Sequence, residues 1–149
     1  MSFINFHATL FIFIIPFFFA RIVMMLGNWT QHAFVDLNNL EDNTINCINT
    51  KYNQACWNDG YHAVHHVRPA LHYTEIPGEF LKNKEYYVKQ KTLTFDGIHY
   101  LHIFIWLMTK RYDKLAKHVV NVDNMFANDE EVIALMKERT KKYTPPVIA

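Results

Sequence analysis

The side chains best suited to chemistry form one short cluster, His62-Ala63-Val64-His65-His66. On a helix, positions i, i+3 and i+4 lie on one face, so His62, His65 and His66 would direct three imidazoles towards one point. Imidazole is a good ligand for iron, copper, nickel and zinc. The cluster therefore predicts part of a metal site that needs further ligands nearby.

A second pair of polar residues lies upstream, at the end of a long apolar run. Asn28 and His32 are four residues apart and would also share a helical face. One interpretation makes His32 a fourth ligand with Asn28 as its polar companion. The other makes His32 a half-buried residue at an interface, which is common for histidine.

Two further interpretations of the histidine cluster stay open. The chain has nine histidines, so three of them can fall together on the surface by chance. Alternatively, Cys47 and Cys56 could join His62 and either His65 or His66 in a zinc site. Their spacing lacks the C-x2–4-C pair that is usual in structural zinc sites.

Composition narrows the class of protein. A length of 149 residues allows one domain. The formal net charge is +1, and no basic tract with interleaved aromatic residues predicts a nucleic-acid partner. The chain has only two cysteines, which does not indicate a disulfide scaffold.

Residues 8–26 are almost continuously apolar, close to the roughly 20 residues that a membrane-spanning helix needs. Pro16 is tolerated in such helices, and Arg21 can extend to the membrane interface. A secretory signal peptide is disfavoured because no basic segment precedes the run and no small-residue cleavage site follows it. We therefore predict one spanning helix.

The basic residues indicate an orientation. All of the 15 Lys and Arg residues except Arg21 lie beyond residue 50. The positive-inside tendency then places the long C-terminal part in the cytosol, where the Asn28-Trp29-Thr30 sequon would not be glycosylated.

The elements between the apolar run and the middle of the chain must position the histidines. Residues 35–60 are polar and turn-rich, which predicts an irregular loop on the membrane surface. Asn58-Asp59-Gly60 predicts a turn with Asn or Asp as N-cap for a helix over 62–66. Pro69 would end that helix, and residues 74–80 predict another turn.

The second half of the chain predicts interfacial and amphipathic helices. Residues 97–109 are apolar but too short to span, and Tyr100 and Trp106 would suit the headgroup zone. Amphipathic helices are expected over 113–121 and 128–142.

Local signals bound the last of these helices. Asn128-Asp129 would cap it, lysines are enriched near its end, and Pro145-Pro146 would stop it. The predicted fold class is all-α: one membrane-spanning helix at 8–26, a cytosolic histidine-bearing region at 27–80, and interfacial and amphipathic helices at 81–149.

The chain resembles a known family over about residues 8–110. The segments Gly27–Asp36, Cys47–Asn53 and Asn58–His72 are similar to the integral-membrane fatty acid desaturases and related hydroxylases, most closely a fungal-type branch. HxxHH alone is a short pattern. A spanning segment, an Asn-x-x-x-His pair and HxxHH in that order are much more specific.

The resemblance implies an oxidoreductase of lipid metabolism in the endoplasmic reticulum membrane. Such enzymes hold two irons almost wholly with histidines. They use dioxygen and two electrons from a donor such as a b-type cytochrome to remove hydrogens from an acyl chain. By this resemblance His62, His65 and His66 match the last histidine box, His32 matches a single preceding histidine, and Asn28 matches an asparagine that approaches one iron.

Carboxylates that orient ligand imidazoles are a further expectation. The candidates are Asp36, Asp59, Glu75 and Glu79, which the sequence does not rank. His72 is close enough to the last box to orient a ligand or line a pocket, whereas His99 and His102 suit an interface or core.

The family also has earlier HxxxH and HxxHH boxes, which the remaining histidines do not form. The resemblance therefore covers the C-terminal half of the family pattern, and we expect no desaturase activity from the isolated chain. A non-catalytic, membrane-anchored relic is the alternative.

Overall fold

A single long helix, α1 (Phe6–Gln31), dominates the N-terminal part of the computed structural model, which describes residues 5–36, 39 and 44–142. Its most apolar stretch has a mean hydropathy of 2.4, and none of it is buried. At about 1.5 Å per residue the helix is ~39 Å long, so it is long and apolar enough to cross a membrane. The predicted spanning helix over 8–26 lies within it.

The helix α1 widens before Pro16. Residues Leu10–Ile14 form a π-helical turn, in which the Ile15 amide donates to the Leu10 carbonyl. Proline has no amide hydrogen to donate to the preceding turn, and a π-turn beside it absorbs that interruption without ending the helix.

Short helices and two strands come after α1. The strands are β1 (Asn46–Ile48) and β2 (Thr94–Asp96), and Val122–Asn124 forms a 3-10 turn. The helices are α2 (Lys51–Ala55), α3 (His62–Val67), α4 (Ile76–Lys82), α5 (Lys84–Gln90), α6 (Tyr100–Met108), α7 (Tyr112–Ala116) and α8 (Asp129–Arg139). The helical fold class is confirmed.

Strand β1 and helix α2 correct the prediction of an irregular loop over 35–60. β1 pairs in parallel with β2, with Asn46 opposite Thr94 and Ile48 opposite Asp96. Three residues are too few to show the alternation that marks a strand, and the partner strand is far along the chain. Residues 37–38 and 40–43 of the predicted loop lie outside the described residues.

The strands lie within the main hydrophobic core. Phe34, Ile45, Phe95, Ile103, Leu115 and Met136 are at most 1% exposed, so the segment that follows α1, the sheet and α6–α8 share one core. A smaller cluster holds Ala63 and Val64 of α3 against Ile76 and Tyr87.

Helix α6 confirms the predicted apolar helix over 97–109 but corrects the role of one aromatic residue. Tyr100 is 4% exposed, and its hydroxyl donates to the Asp59 carbonyl at 3.1 Å. The expectation that it lies in the headgroup zone is wrong. Leu101, Ile105 and Met108 form the half-exposed stripe of the helix.

Two local predictions around the histidine helix are also wrong. A turn is predicted over 74–80, yet Ile76–Lys82 is helical with Pro77 in its first turn, where a missing amide hydrogen costs nothing. The N-cap of α3 is Tyr61, without a side-chain cap. Asn58 instead donates to the Tyr73 carbonyl at 2.9 Å.

The C-terminal helices are shorter than predicted. α7 ends at Ala116 because the chain then returns to the sheet: Val120 N donates to Thr94 O at 2.8 Å. The predicted cap of the last helix is confirmed at Asn128, whose side chain accepts from Glu131 N at 3.0 Å. The expected stop at Pro145-Pro146 lies outside the described residues.

Two buried asparagines attach α3 to the sheet. Asn53 Nδ2 donates to Cys47 O at 2.8 Å, and its Oδ1 accepts from Gly60 N at 3.0 Å. Asn46 Oδ1 accepts from Ala63 N at 3.0 Å. The start of the histidine helix is therefore held by amide groups of residues outside it.

Replacing Gly60 tests this attachment. A Cβ at Gly60 would lie 2.1 Å from Asn53 Oδ1 and 2.2 Å from Cys47 O, and Cys47 O is backbone that yields little. We expect Gly60→Ala to cost about 1–3 kcal/mol, as overpacking does, and to lower the thermal midpoint in detergent micelles, followed by circular dichroism.

The matched control is Gly78→Ala in α4, where a Cβ meets nothing within 4 Å. This change should be neutral or stabilise by at most about 1 kcal/mol. Equal midpoints for the two variants would contradict the attachment of α3 through Gly60.

Candidate metal centre

Three histidines from two separate elements converge in space. His62 and His66 lie one turn apart on α3, and His32 immediately follows α1. One ring nitrogen from each lies within 4.8 Å of those of the other two. The His32 ring centroid is 5.3 Å from that of His62 and 5.0 Å from that of His66.

The donor atoms suit one metal ion. Metal–imidazole bonds of about 2.1 Å place two nitrogens on one ion roughly 3–4 Å apart. His62 Nε2 and His66 Nε2 are 3.2 Å apart, so these two atoms already have the separation of neighbouring ligands. Among the described residues, no second group of three histidine, cysteine or acidic side chains is gathered this closely.

The environment keeps the central imidazole uncharged. Burial, followed by the nearby His66, His32 and His65, lowers the pKa of His62 to about 3. Burial also lowers the pKa of His66, with further contributions from His32 and His65. A neutral imidazole has the free lone pair that metal binding requires.

His65 and Asn28 take different positions from the converging three. The His65 ring is exposed and stacks on His62 with centroids 5.8 Å apart, but it is not part of the group of close nitrogens. Asn28 is exposed on the last turn of α1. Both line a neighbouring cavity, so the structure brings together three of the five predicted site residues.

That cavity lies between the end of α1 and the start of α6. It has a volume of about 610 Å³. Its lining combines apolar side chains of the two helices with polar groups beside the histidines: Val23, Met24, Leu26 and Leu101, together with Asp59 and His62. The His62 imidazole therefore borders the same space as the apolar side chains.

Of the four candidate carboxylates, Asp59 lies beside the histidines. Its Oδ1 is 3.9 Å from His62 Nδ1. Glu79 is engaged by Arg68 at 2.8 Å, and Asp36 lies 3.8 Å from Arg139. Glu75 precedes α4 as its N-cap.

Sequence reasoning missed the residues that hold Asp59. Its Oδ2 accepts from Gln31 Nε2 at 3.2 Å and from the Tyr52 hydroxyl at 2.9 Å. Burial, together with this hydrogen bond, raises the pKa of the Tyr52 hydroxyl. The sequence offered one signal for Gln31: it directly precedes His32, a candidate ligand.

The other candidate residues lie apart from the converging three. His72 is exposed and pairs with Thr74, and His99 caps α6 by accepting from Leu101 N at 3.3 Å. Cys47 is buried, which raises the pKa of its thiol. Neither Cys47 nor Cys56 belongs to the histidine group within the described part of the chain, so the geometry does not support the zinc-module alternative.

Comparison with known proteins settles the lineage. The sequence model described as "Fatty acid desaturase" matches residues 1–97. The chain belongs to the fatty acid desaturase family. No curated protein and no solved structure matches it significantly. The matched range contains all three converging histidines of this family member, whereas α6, α7 and α8 lie beyond it.

The adjacent histidines of the HxxHH box should behave differently towards a metal. We expect His66→Gln to raise the dissociation constant for Co²⁺ by at least about tenfold, since even partners outside the ligand set cost 10–100-fold. His65→Gln should change it much less, because His65 lies outside the group of close nitrogens.

Binding is measured by titrating the full chain in detergent micelles and following the visible absorption of Co²⁺. The control His72→Gln alters an exposed histidine of the same region. A loss in His65→Gln as large as that in His66→Gln would contradict the geometric distinction.

Proposed function

We propose that this chain provides part of the iron site and part of the acyl-binding surface of a membrane fatty acyl desaturase. One observation carries the proposal: His62 belongs both to the group of converging histidines and to the lining of the apolar cavity. A metal-binding side chain thus lies where an acyl chain would come within reach of a bound metal.

The proposed ligands are His32, His62 and His66, with His65 and Asn28 directed to the cavity side. Fatty acid desaturases are generally di-iron proteins. Even with His65 counted beside the three proposed ligands, four histidines are too few to hold two irons in the manner of the family. The complete site would therefore need ligands beyond these residues. Iron, when bound, would supply the oxidising chemistry with dioxygen, two electrons and two protons, which together with two hydrogens from the substrate convert a CH₂–CH₂ unit to CH=CH and give two waters.

The protein residues would bind and orient the substrate. Val23, Met24 and Leu26 on α1 are apolar and line the cavity with Leu101. Burying an alkyl chain against them is favourable by about 0.8 kcal/mol per CH₂ group. Filling the cavity with hydrocarbon would also exclude water from the side of His62 that faces it.

The setting of the site supports a membrane location. α1 would cross the bilayer, and the half-exposed stripe of Leu101, Ile105 and Met108 on α6 would face lipid near the interface, because α6 packs beside α1 with Trp29 and Phe104 centroids 5.8 Å apart. We further propose the endoplasmic reticulum membrane, a cytosolic C-terminal region and a b-type cytochrome as electron donor. The distribution of basic residues supports this orientation.

Acyl binding is tested by filling the cavity. Gly27 lines it, and a Cβ there meets nothing within 4 Å, so Gly27→Leu is expected to occupy part of the cavity. A photoreactive long-chain acyl probe should label peptides of α1 and α6 in the wild type and label them several-fold less in Gly27→Leu, by mass spectrometry.

The control Gly78→Leu adds the same side chain in α4, where a Cβ also meets nothing within 4 Å, and should label like the wild type. Undiminished labelling in Gly27→Leu would remove the cavity from the proposal. Co²⁺ binding should persist in both variants.

Turnover by the chain alone is a separate prediction. Supplied with Fe²⁺, a reducing system, dioxygen and a labelled acyl substrate, the purified full chain should form no unsaturated product, because its candidate ligands are too few for two irons. A product that disappears in His62→Gln would show instead that these histidines suffice for catalysis.

A further inference from the structure

We propose that Asp59 is a positioning residue that holds the His62 imidazole with its Nδ1 protonated and its Nε2 facing His32 and His66. The inference rests on the proposed metal-binding role of these histidines. It assigns a task to a carboxylate that would not itself touch the metal or the substrate.

The hydrogen bonds of Asp59 leave one oxygen for this task. Oδ2 accepts from Gln31 Nε2 and from the Tyr52 hydroxyl. The backbone carbonyl of Asp59 accepts from the Tyr100 hydroxyl at 3.1 Å. Oδ1 is the carboxylate oxygen that points towards His62, 3.9 Å from Nδ1.

The two nitrogens of His62 have unequal surroundings. Nδ1 is buried and makes no hydrogen bond to any residue that the structure describes, whereas Nε2 lies 3.2 Å from His66 Nε2. A neutral imidazole carries one N–H. Placed on Nδ1, the proton points to a carboxylate oxygen and leaves the Nε2 lone pair directed at the other imidazoles; placed on Nε2, it occupies the position of a metal and leaves a lone pair facing the carboxylate.

The remaining gap is small. A hydrogen bond between Nδ1 and Oδ1 needs about 2.9 Å, so a movement of about 1 Å of the imidazole or the carboxylate closes it. Ligand histidines commonly donate their second ring N–H to a carboxylate, which fixes the tautomer and the ring plane.

The carboxylate is itself oriented by two other elements. Gln31 is the last residue of α1, and Tyr52 lies on α2. Asp59 therefore connects the end of the long apolar helix with the ring of His62. His32 follows Gln31 directly, so two of the three imidazoles are positioned relative to the end of α1.

The first test needs no metal. In ¹⁵N-labelled, metal-free full chain in detergent micelles, the His62 ring resonances are assigned by their loss in His62→Gln. The wild type should show the Nδ1–H tautomer, and Asp59→Ala should shift His62 towards Nε2–H. Asp59→Asn keeps the size of the side chain but not its charge and should give an intermediate mixture, while Asp113→Asn, which removes a carboxylate on α7, should leave the spectrum unchanged.

The second test uses Co²⁺ alone. Asp59→Ala should raise the Co²⁺ dissociation constant by about 10–100-fold and change the visible absorption of bound Co²⁺, whereas Asp113→Asn should do neither. Circular dichroism establishes that each variant is folded; if Asp59→Ala is not, Asp59→Asn carries both tests.

The outcomes separate the two proposals. Wild-type His62 as the Nε2–H tautomer, or an unchanged tautomer in folded Asp59 variants, overturns the role of Asp59. A correct tautomer response without Co²⁺ binding in the wild type supports that role and contradicts the proposed metal function.

Discussion

The histidine site depends on hydrogen bonds that two asparagine side chains accept from backbone amides at the start of α3. A helix of six residues, His62–Val67, is far below the roughly 12–15 residues at which an isolated helix becomes even marginally stable. Asn53 and Asn46 hold Gly60 and Ala63 against β1, and the side chains of Ala63 and Val64 are buried below. The positions of His62 and His66 result from these contacts.

The other half of the site depends on how α1 ends. Most apolar side chains along α1 are exposed, but Thr30 and Gln31 are buried. The last two residues of the helix are therefore packed inside the protein, whereas the preceding turns are not. Thr30 Oγ1 donates to the Leu26 carbonyl, and the Gln31 carbonyl accepts from Ile45 N at 3.0 Å. These bonds satisfy backbone groups that a helix end would otherwise leave unpaired, and they place His32 above α3.

The sequence predicted the parts of this architecture that have a local signal. The apolar run, the HxxHH spacing and the Asn128 cap each depend on residues within a few positions of one another. The separation of His65 from His66 could not be predicted in this way, because it depends on the direction from which His32 approaches α3. Helical spacing alone treats all three residues of the box alike. Tyr100 was misplaced for the same reason: its hydroxyl partner, Asp59, belongs to a distant segment.

The parallel pairing of β1 with β2 makes the histidine region inseparable from the C-terminal helices. β2 pairs with β1 on one side, while Val120 N donates to Thr94 O and Phe95 bridges Val119 on the other. The family match ends at residue 97. The β1 residue Cys47, whose carbonyl accepts from Asn53 Nδ2, nevertheless belongs to a hydrophobic core that α6–α8 complete. The histidine box is thus not a portable module: a graft or proteolytic fragment ending near residue 97 would carry the ligands without the hydrophobic core that keeps them together.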